Sequence, residues 1–198
     1  MTHPCLTRII CLLSLLFTTT ACERRQHAST DQIPTTEEIM WRKVFNQRLP
    51  LLGHRNWILV VDQAFPLQSA PGIEVIDTQQ PLKPVLGELL RTLDAAGHIK
   101  PIIYTDLELN YLDETICPGV EATRADMNDV LKAYPIHTFL HEEVFAKLDQ
   151  ASKLFHVLVL KTTSRIPYSS VFIELDCGYW TTEAEQALRA KMKDAKGQ

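Results

Sequence analysis

No run in this 198-residue chain is apolar for the roughly 20 residues that a helix needs to cross a bilayer. The longest candidate, Ile9 to Phe17, is far too short. There is no basic excess, since the net charge is −4, so the chain lacks the concentrated positive face that nucleic acid rewards. No glycine-rich loop stands at any expected strand-to-helix junction, which argues against nucleotide chemistry. No G-x-S-x-G elbow surrounds Ser169 or Ser170, so neither reads as a nucleophile. Solenoid-length repeats are missing, and there is no low-complexity block beyond the N-terminal region. What remains is an ordinary globular composition, 45% hydrophobic, sufficient for one core and hardly for two.

The N-terminus has its own logic. Arg8, the apolar run Ile9–Phe17 and small residues ending in Ala21-Cys22 form the three-part layout of a secretory signal. A thiol directly after Thr-Thr-Ala resembles a bacterial lipobox, with Cys22 lipidated as the mature N-terminus. The match departs from that motif at Thr19, where Leu is usual. Residues 1–21 are therefore expected to be a signal peptide and residues 22–35 a polar, flexible tether. The implied location is the cell envelope, lipid-anchored to a membrane and facing the periplasm. Cys5 and Cys11 would leave with the signal, so only Cys117 and Cys177 stay in the mature domain. In an exported protein they can pair, or they can be small buried hydrophobes.

Residues 36–180 carry the folding pattern. Thr35 and Glu38 fit a capping box, and a helix is expected through about Gln47. "NWILVV" reads as a buried strand and "IEVID" as a second. Leu82, Val85, Leu86, Leu89, Leu90 and Leu93 recur at helical spacing, with Pro84 in the first turn and Gly97 as the stop. "KPIIYT" is a strand, the stretch from Asp106 to Val120 is irregular, and "RADMNDVLKAY" is a helix. "IHTFL", "FHVLVLKT" and "SVFIEL" are strands, "EEVFAKLDQAS" is a helix, and residues 181–198 form a charged, helix-prone tail. Strands alternating with helices predict a single layered α/β domain, its sheet mostly parallel or mixed and covered by helices on both faces.

Gly53-His54, an apolar strand and Asp62-x-x-x-Pro66 resemble the D-ribose pyranase and L-fucose mutarotase family, which has these residues at the same spacing. "FAKLDQASKLFHVLVLKTTSRIPYSSVFIEL" resembles that family's last helix, a strand, a loop with Tyr and the final strand. The resemblance runs from about Thr36 to Tyr179. It implies a sugar mutarotase or pyranase-like isomerase that opens and recloses the ring of a monosaccharide, without cofactor or metal. It also implies a homo-oligomeric ring with sites between neighbouring subunits. The alternative is a sugar-binding lipoprotein whose site has lost turnover.

The chemistry needs a base for the anomeric hydroxyl and an acid for the ring oxygen, roles an imidazole fills at neutral pH. His54 matches the family's Gly-His histidine and takes the main proton-transfer role; otherwise it is a turn residue. Asp62 lies at a strand's C-terminal end, where α/β proteins place ligand groups, and it can orient a sugar or simply shape the turn. Tyr168 matches the family's loop tyrosine, with a packed aromatic as its other reading. Ser170 stands where the family usually has Asn. Aligned without gaps, Val144 occupies the place of the family's second His, and His141 lies three residues upstream; a small shift brings His141 to the pocket. His137 and His141 sit four apart, a zinc spacing on a helix, but Pro135 and the β-prone "IHTFL" oppose a helix there, so no metal is expected. For the anchor, fatty-acid label is expected on the wild type and not on Cys22→Ala. Equal label and equal membrane retention in the variant would reject lipidation.

Overall fold

The structure is a computed structural model that describes residues 36–196. The expected signal peptide, Cys22, the tether and Thr35 lie outside the described residues. The order of elements is α1 (Thr36–Arg48), β1 (Trp57–Val61), β2 (Ile73–Asp77), α2 (Leu82–Ala95), β3 (Ile99–Asp106), α3 (Val120–Leu131), β4 (Ile136–Phe139), α4 (His141–Ala151), β5 (Val157–Lys161), β6 (Val171–Cys177) and α5 (Thr182–Lys196). Short 3-10 turns occupy Leu49–Leu51 and Leu107–Tyr111.

The six strands form one mixed sheet in the order β2-β5-β1-β6-β3-β4. β1 and β2 run parallel to β5, and β4 runs parallel to β3. Only β6 is reversed, antiparallel to both β1 and β3. The two-residue period of a strand sorts β1 cleanly. Ile58 and Val60 face a core shared with Trp41 and Phe45 of α1, the six apolar residues of α2, and Val120, Met127 and Leu131 of α3. Trp57, Leu59 and Val61 face a second core, closed by Val144 and Leu148 of α4. Both faces are thus covered, which is why β1 is apolar at every position. Each fully buried side chain of α2 contributes roughly 1.5–3 kcal/mol of burial.

Local details differ from the sequence expectations for identifiable reasons. α3 starts four residues earlier than Arg124, because the Glu114 carboxylate accepts the backbone N–H groups of Gly119 and Glu121 and so caps the helix from outside it. α4 starts at His141, one residue before the expected helix. The Glu143 carboxylate accepts the Leu140 backbone N–H, and Glu108 accepts that of His141. With His137 on β4 and His141 on α4, the two histidines do not share a helix face. Cys117 and Cys177 are both free, and Cys117 packs into the first core. α5, the expected charged tail, is a mostly exposed helix. Among the described residues no helix is long and apolar enough to cross a membrane.

One close approach constrains a glycine. A Cβ at Gly178 would lie 2.6 Å from the Gly97 carbonyl oxygen and 2.8 Å from the Ile99 nitrogen, both backbone atoms that cannot swing away. Gly53 has nothing within 4 Å of the same atom. Gly178→Ala is expected to lower unfolding free energy by about 1–3 kcal/mol, the usual cost of overpacking, and Gly53→Ala to leave it nearly unchanged. Equal denaturation midpoints for the two variants would contradict this packing.

Candidate functional site

The direction of the strands decides which polar residues can meet. The parallel strands end on one edge of the sheet, and reversed β6 begins there. Asp62 follows β1, Asp106 ends β3, His141 follows β4, and Ser170 precedes β6. The loop between β5 and β6 must cross the end of β1, since β1 lies between those strands. It is tied down as it crosses. The Thr162 N–H and hydroxyl both donate to the Val61 carbonyl, and the Gln63 N–H donates to the Ser164 carbonyl. Ser164 and Ser169 hydroxyls pair at 3.2 Å, and Ser169 donates to the Ile166 carbonyl.

These segments enclose a cavity of about 530 Å³, lined by Asp62, Gln63, Phe65, His141, Phe145, Arg165 and Tyr168 among others. That volume lies within the usual range for small-molecule pockets. Tyr168 holds φ of 59°, a left-handed conformation that costs a non-glycine residue energy and here is held by the loop's own hydrogen bonds. Its ring stands edge-on to the His141 imidazole, with centroids 5.3 Å apart. On its other side His141 packs against Phe145 at 4.6 Å.

His141 Nδ1 lies 2.9 Å from Asp106 Oδ2. Asp106 is 1% exposed, and its Oδ1 has no hydrogen-bond partner. Burial is the main reason its pKa rises, to about 6. The His141 hydrogen bond and charge oppose the rise, while Glu108 and Asp62 add to it. Beside the imidazole, the Asp106 carboxyl thus keeps its proton to a higher pH than an ordinary aspartate. With Nδ1 committed to Asp106, Nε2 is the His141 nitrogen left for chemistry. Asp62 is half-buried, and its oxygens accept from the Ala64 N–H at 2.8 Å and the Ser170 hydroxyl at 3.3 Å. Both oxygens being engaged, Asp62 suits orienting and accepting hydrogen bonds better than carrying a proton. Ser170 is buried and reaches the site through Asp62.

His54 is elsewhere. It precedes β1, so the strand's roughly 17 Å length separates it from Asp62. At that opposite edge it is exposed, with Nδ1 3.0 Å from Asp176, which also holds Lys100. Within one chain His54 and Asp62 do not share a hollow. Asp106 was not singled out from the sequence, although it ends a strand as Asp62 follows one. Arg165 and Gln63 were also unmarked, being ordinary surface types in loops. Among the described residues no group of three His, Cys, Asp or Glu could hold a metal ion.

No protein-family model matches the chain, and neither does any curated protein sequence. Solved structures similar to it include Bacillus subtilis RbsD complexed with D-ribose, 15% identical, covering 75% of this chain and 96% of that one at a TM-score of 0.45. Fucose mutarotase from Streptococcus pneumoniae in complex with L-fucose is 14% identical, covering 67% and 91% at a TM-score of 0.48. FucU from Bifidobacterium longum is 16% identical, covering 73% and 95% at 0.40. At these values the likeness carries no argument about what the chain does, and function has to be read from the chain's own residues.

The raised Asp106 pKa has a definite sign for stability. The folded state holds this proton more tightly than the unfolded state, whose reference value is 3.8. The group's contribution therefore falls as pH rises from about 4 to about 6, and the penalty persists above. Asp106→Asn removes the titration. Its unfolding free energy relative to wild type is expected to climb by on the order of 2–3 kcal/mol over that window and then level off. Denaturant unfolding across pH checks this, and a difference that does not change with pH would contradict it.

Proposed function

We propose that the cavity binds a free monosaccharide and speeds the opening and reclosing of its ring. The observation that carries this reading is the His141–Asp106 pair meeting Asp62 and Tyr168 around one hollow. In the opening step a base takes the anomeric hydroxyl proton as the bond from the anomeric carbon to the ring oxygen breaks. The exocyclic oxygen becomes the carbonyl, and the ring oxygen receives a proton. Rotation about the adjacent carbon–carbon bond and reversal of these steps give the other anomer. Attack on the carbonyl by a different hydroxyl, which gives up its proton as the carbonyl oxygen gains one, gives the other ring form. His141 Nε2 accepts or returns the proton, with Asp106 holding the imidazole and sharing its charge. In this reading the Tyr168 hydroxyl donates to a sugar oxygen and its ring packs on the sugar's C–H surface. Asp62 accepts sugar hydroxyls.

His54 enters this scheme through a second copy of the chain. Its exposed turn and its Asp176 partner suit a histidine presented to a neighbour's cavity, so the active form is a homo-oligomer, ring-like in the manner the sequence resemblance implies. Anchored through Cys22, the assembly would act on sugars at the envelope. The position of His54 at the far edge of the sheet also favours a second reading, a sugar-binding lipoprotein without turnover.

Exchange NMR on ribose, fucose and galactose anomers separates the two. Faster anomer exchange is expected, reduced about 100-fold or more in His141→Ala, as loss of a general acid–base group predicts. A comparable loss in His54→Ala supports the shared site. Ligand broadening without faster exchange supports binding alone, and no effect with any sugar rejects both readings.

A further inference from the structure

Arg165 stands in the loop that crosses the end of β1, and it lines the same cavity as His141, Asp62 and Tyr168. Its guanidinium is exposed and is held through one nitrogen. Nε donates to Gln63 Oε1 at 3.0 Å, and Gln63, also a lining residue, is pinned by its backbone bond to Ser164. The loop on which Arg165 rides is held at both ends by the hydroxyls of Thr162, Ser164 and Ser169. A guanidinium tied through Nε keeps its two terminal nitrogens side by side, the edge that matches a carboxylate with two parallel hydrogen bonds. The arginine also borders a smaller hollow of about 240 Å³, but there Asp126 is already engaged by Lys83 at 2.8 Å.

The rest of the cavity has the opposite electrostatic character. Asp62 sits next to Gln63, and Asp106 lies behind His141. A neutral sugar leaves the guanidinium without a charged partner. A sugar with a carboxylate far from its anomeric carbon gives Arg165 a charged partner and leaves the anomeric hydroxyl for His141.

We infer that this cavity takes a monosaccharide bearing a carboxylate, a hexuronic acid in its pyranose form, and that Arg165 reads the carboxylate. The inference rests on the monosaccharide reading above and names its substrate class. Arg165 is a binding residue here and takes no part in proton transfer.

The test is saturation-transfer NMR on the full chain with matched pairs: D-glucuronate against D-glucose, and D-galacturonate against D-galactose, with D-glucose 6-phosphate as a third arm. Uronates are expected to bind about tenfold tighter than their neutral parents, with the gap narrowing as salt rises. In Arg165→Gln the ratio is expected to fall to within about twofold of unity, and in Arg165→Lys to lie between, since a point charge replaces the fork. Neutral sugars binding as well as uronates would overturn the inference while leaving the monosaccharide reading in place. Tighter binding of the phosphate than of either uronate would overturn the carboxylate assignment. An unchanged preference in Arg165→Gln would overturn the role of that residue, and no binding in any arm would overturn this inference, while the ribose and fucose measurements decide separately the reading it rests on.

Discussion

The burial of one carboxyl group against one imidazole organises the candidate site. Asp106 is removed from water at the end of β3, and among the described residues its carboxyl has one hydrogen-bond partner, His141 Nδ1. An isolated buried carboxylate is costly, and burial accordingly raises the Asp106 pKa while the His141 hydrogen bond opposes the rise. The arrangement fixes the imidazole, leaves Nε2 as its open nitrogen and draws the start of α4 down onto β3. Glu108 completes the junction by accepting the His141 backbone N–H at the positive end of the helix. Energetically this corner is held against its own desolvation, a common condition of sites that do proton chemistry.

That corner exists because of strand direction. With β1, β3, β4 and β5 ending on one edge and β6 starting there, four separate segments deliver side chains to a common place. The crossing loop supplies Tyr168 and Arg165 and is stiffened by its own hydroxyl bonds. A strained tyrosine backbone and a half-buried histidine are tolerable there because the two cores on either side of β1 are densely apolar. The same topology sends His54, Lys100 and Asp176 to the other edge, where Asp176 holds the other two and His156 lies beside Glu74.

Much of the fold was readable along the chain, and the reasons are physical. The α2 helix announces itself through six apolar residues at helical spacing, and all six are buried. β1 and β5 are short apolar runs because each is covered on both faces. Asp62 was singled out through its spacing from Gly53-His54 and Pro66, and Tyr168 through the resemblance of the loop before the last strand. Asp106 was not, because nothing in a local window distinguishes a buried aspartate from a turn residue. The start of α3 was misjudged for the same reason, since Glu114 caps it from a preceding loop.

Periodicity, apolar spacing and turn residues are local properties, so the amino-acid order by itself determined the elements, their layering and the exposed character of the C-terminal helix. Which side chains share a hollow is not local. It depends on strand order and on the reversal of β6, which are settled by how two apolar sheet faces are covered at once. Tertiary structure alone therefore decided that His141 and Asp106 stand beside Asp62, and that His54, eight residues from Asp62 along the chain, stands at the opposite end of the strand.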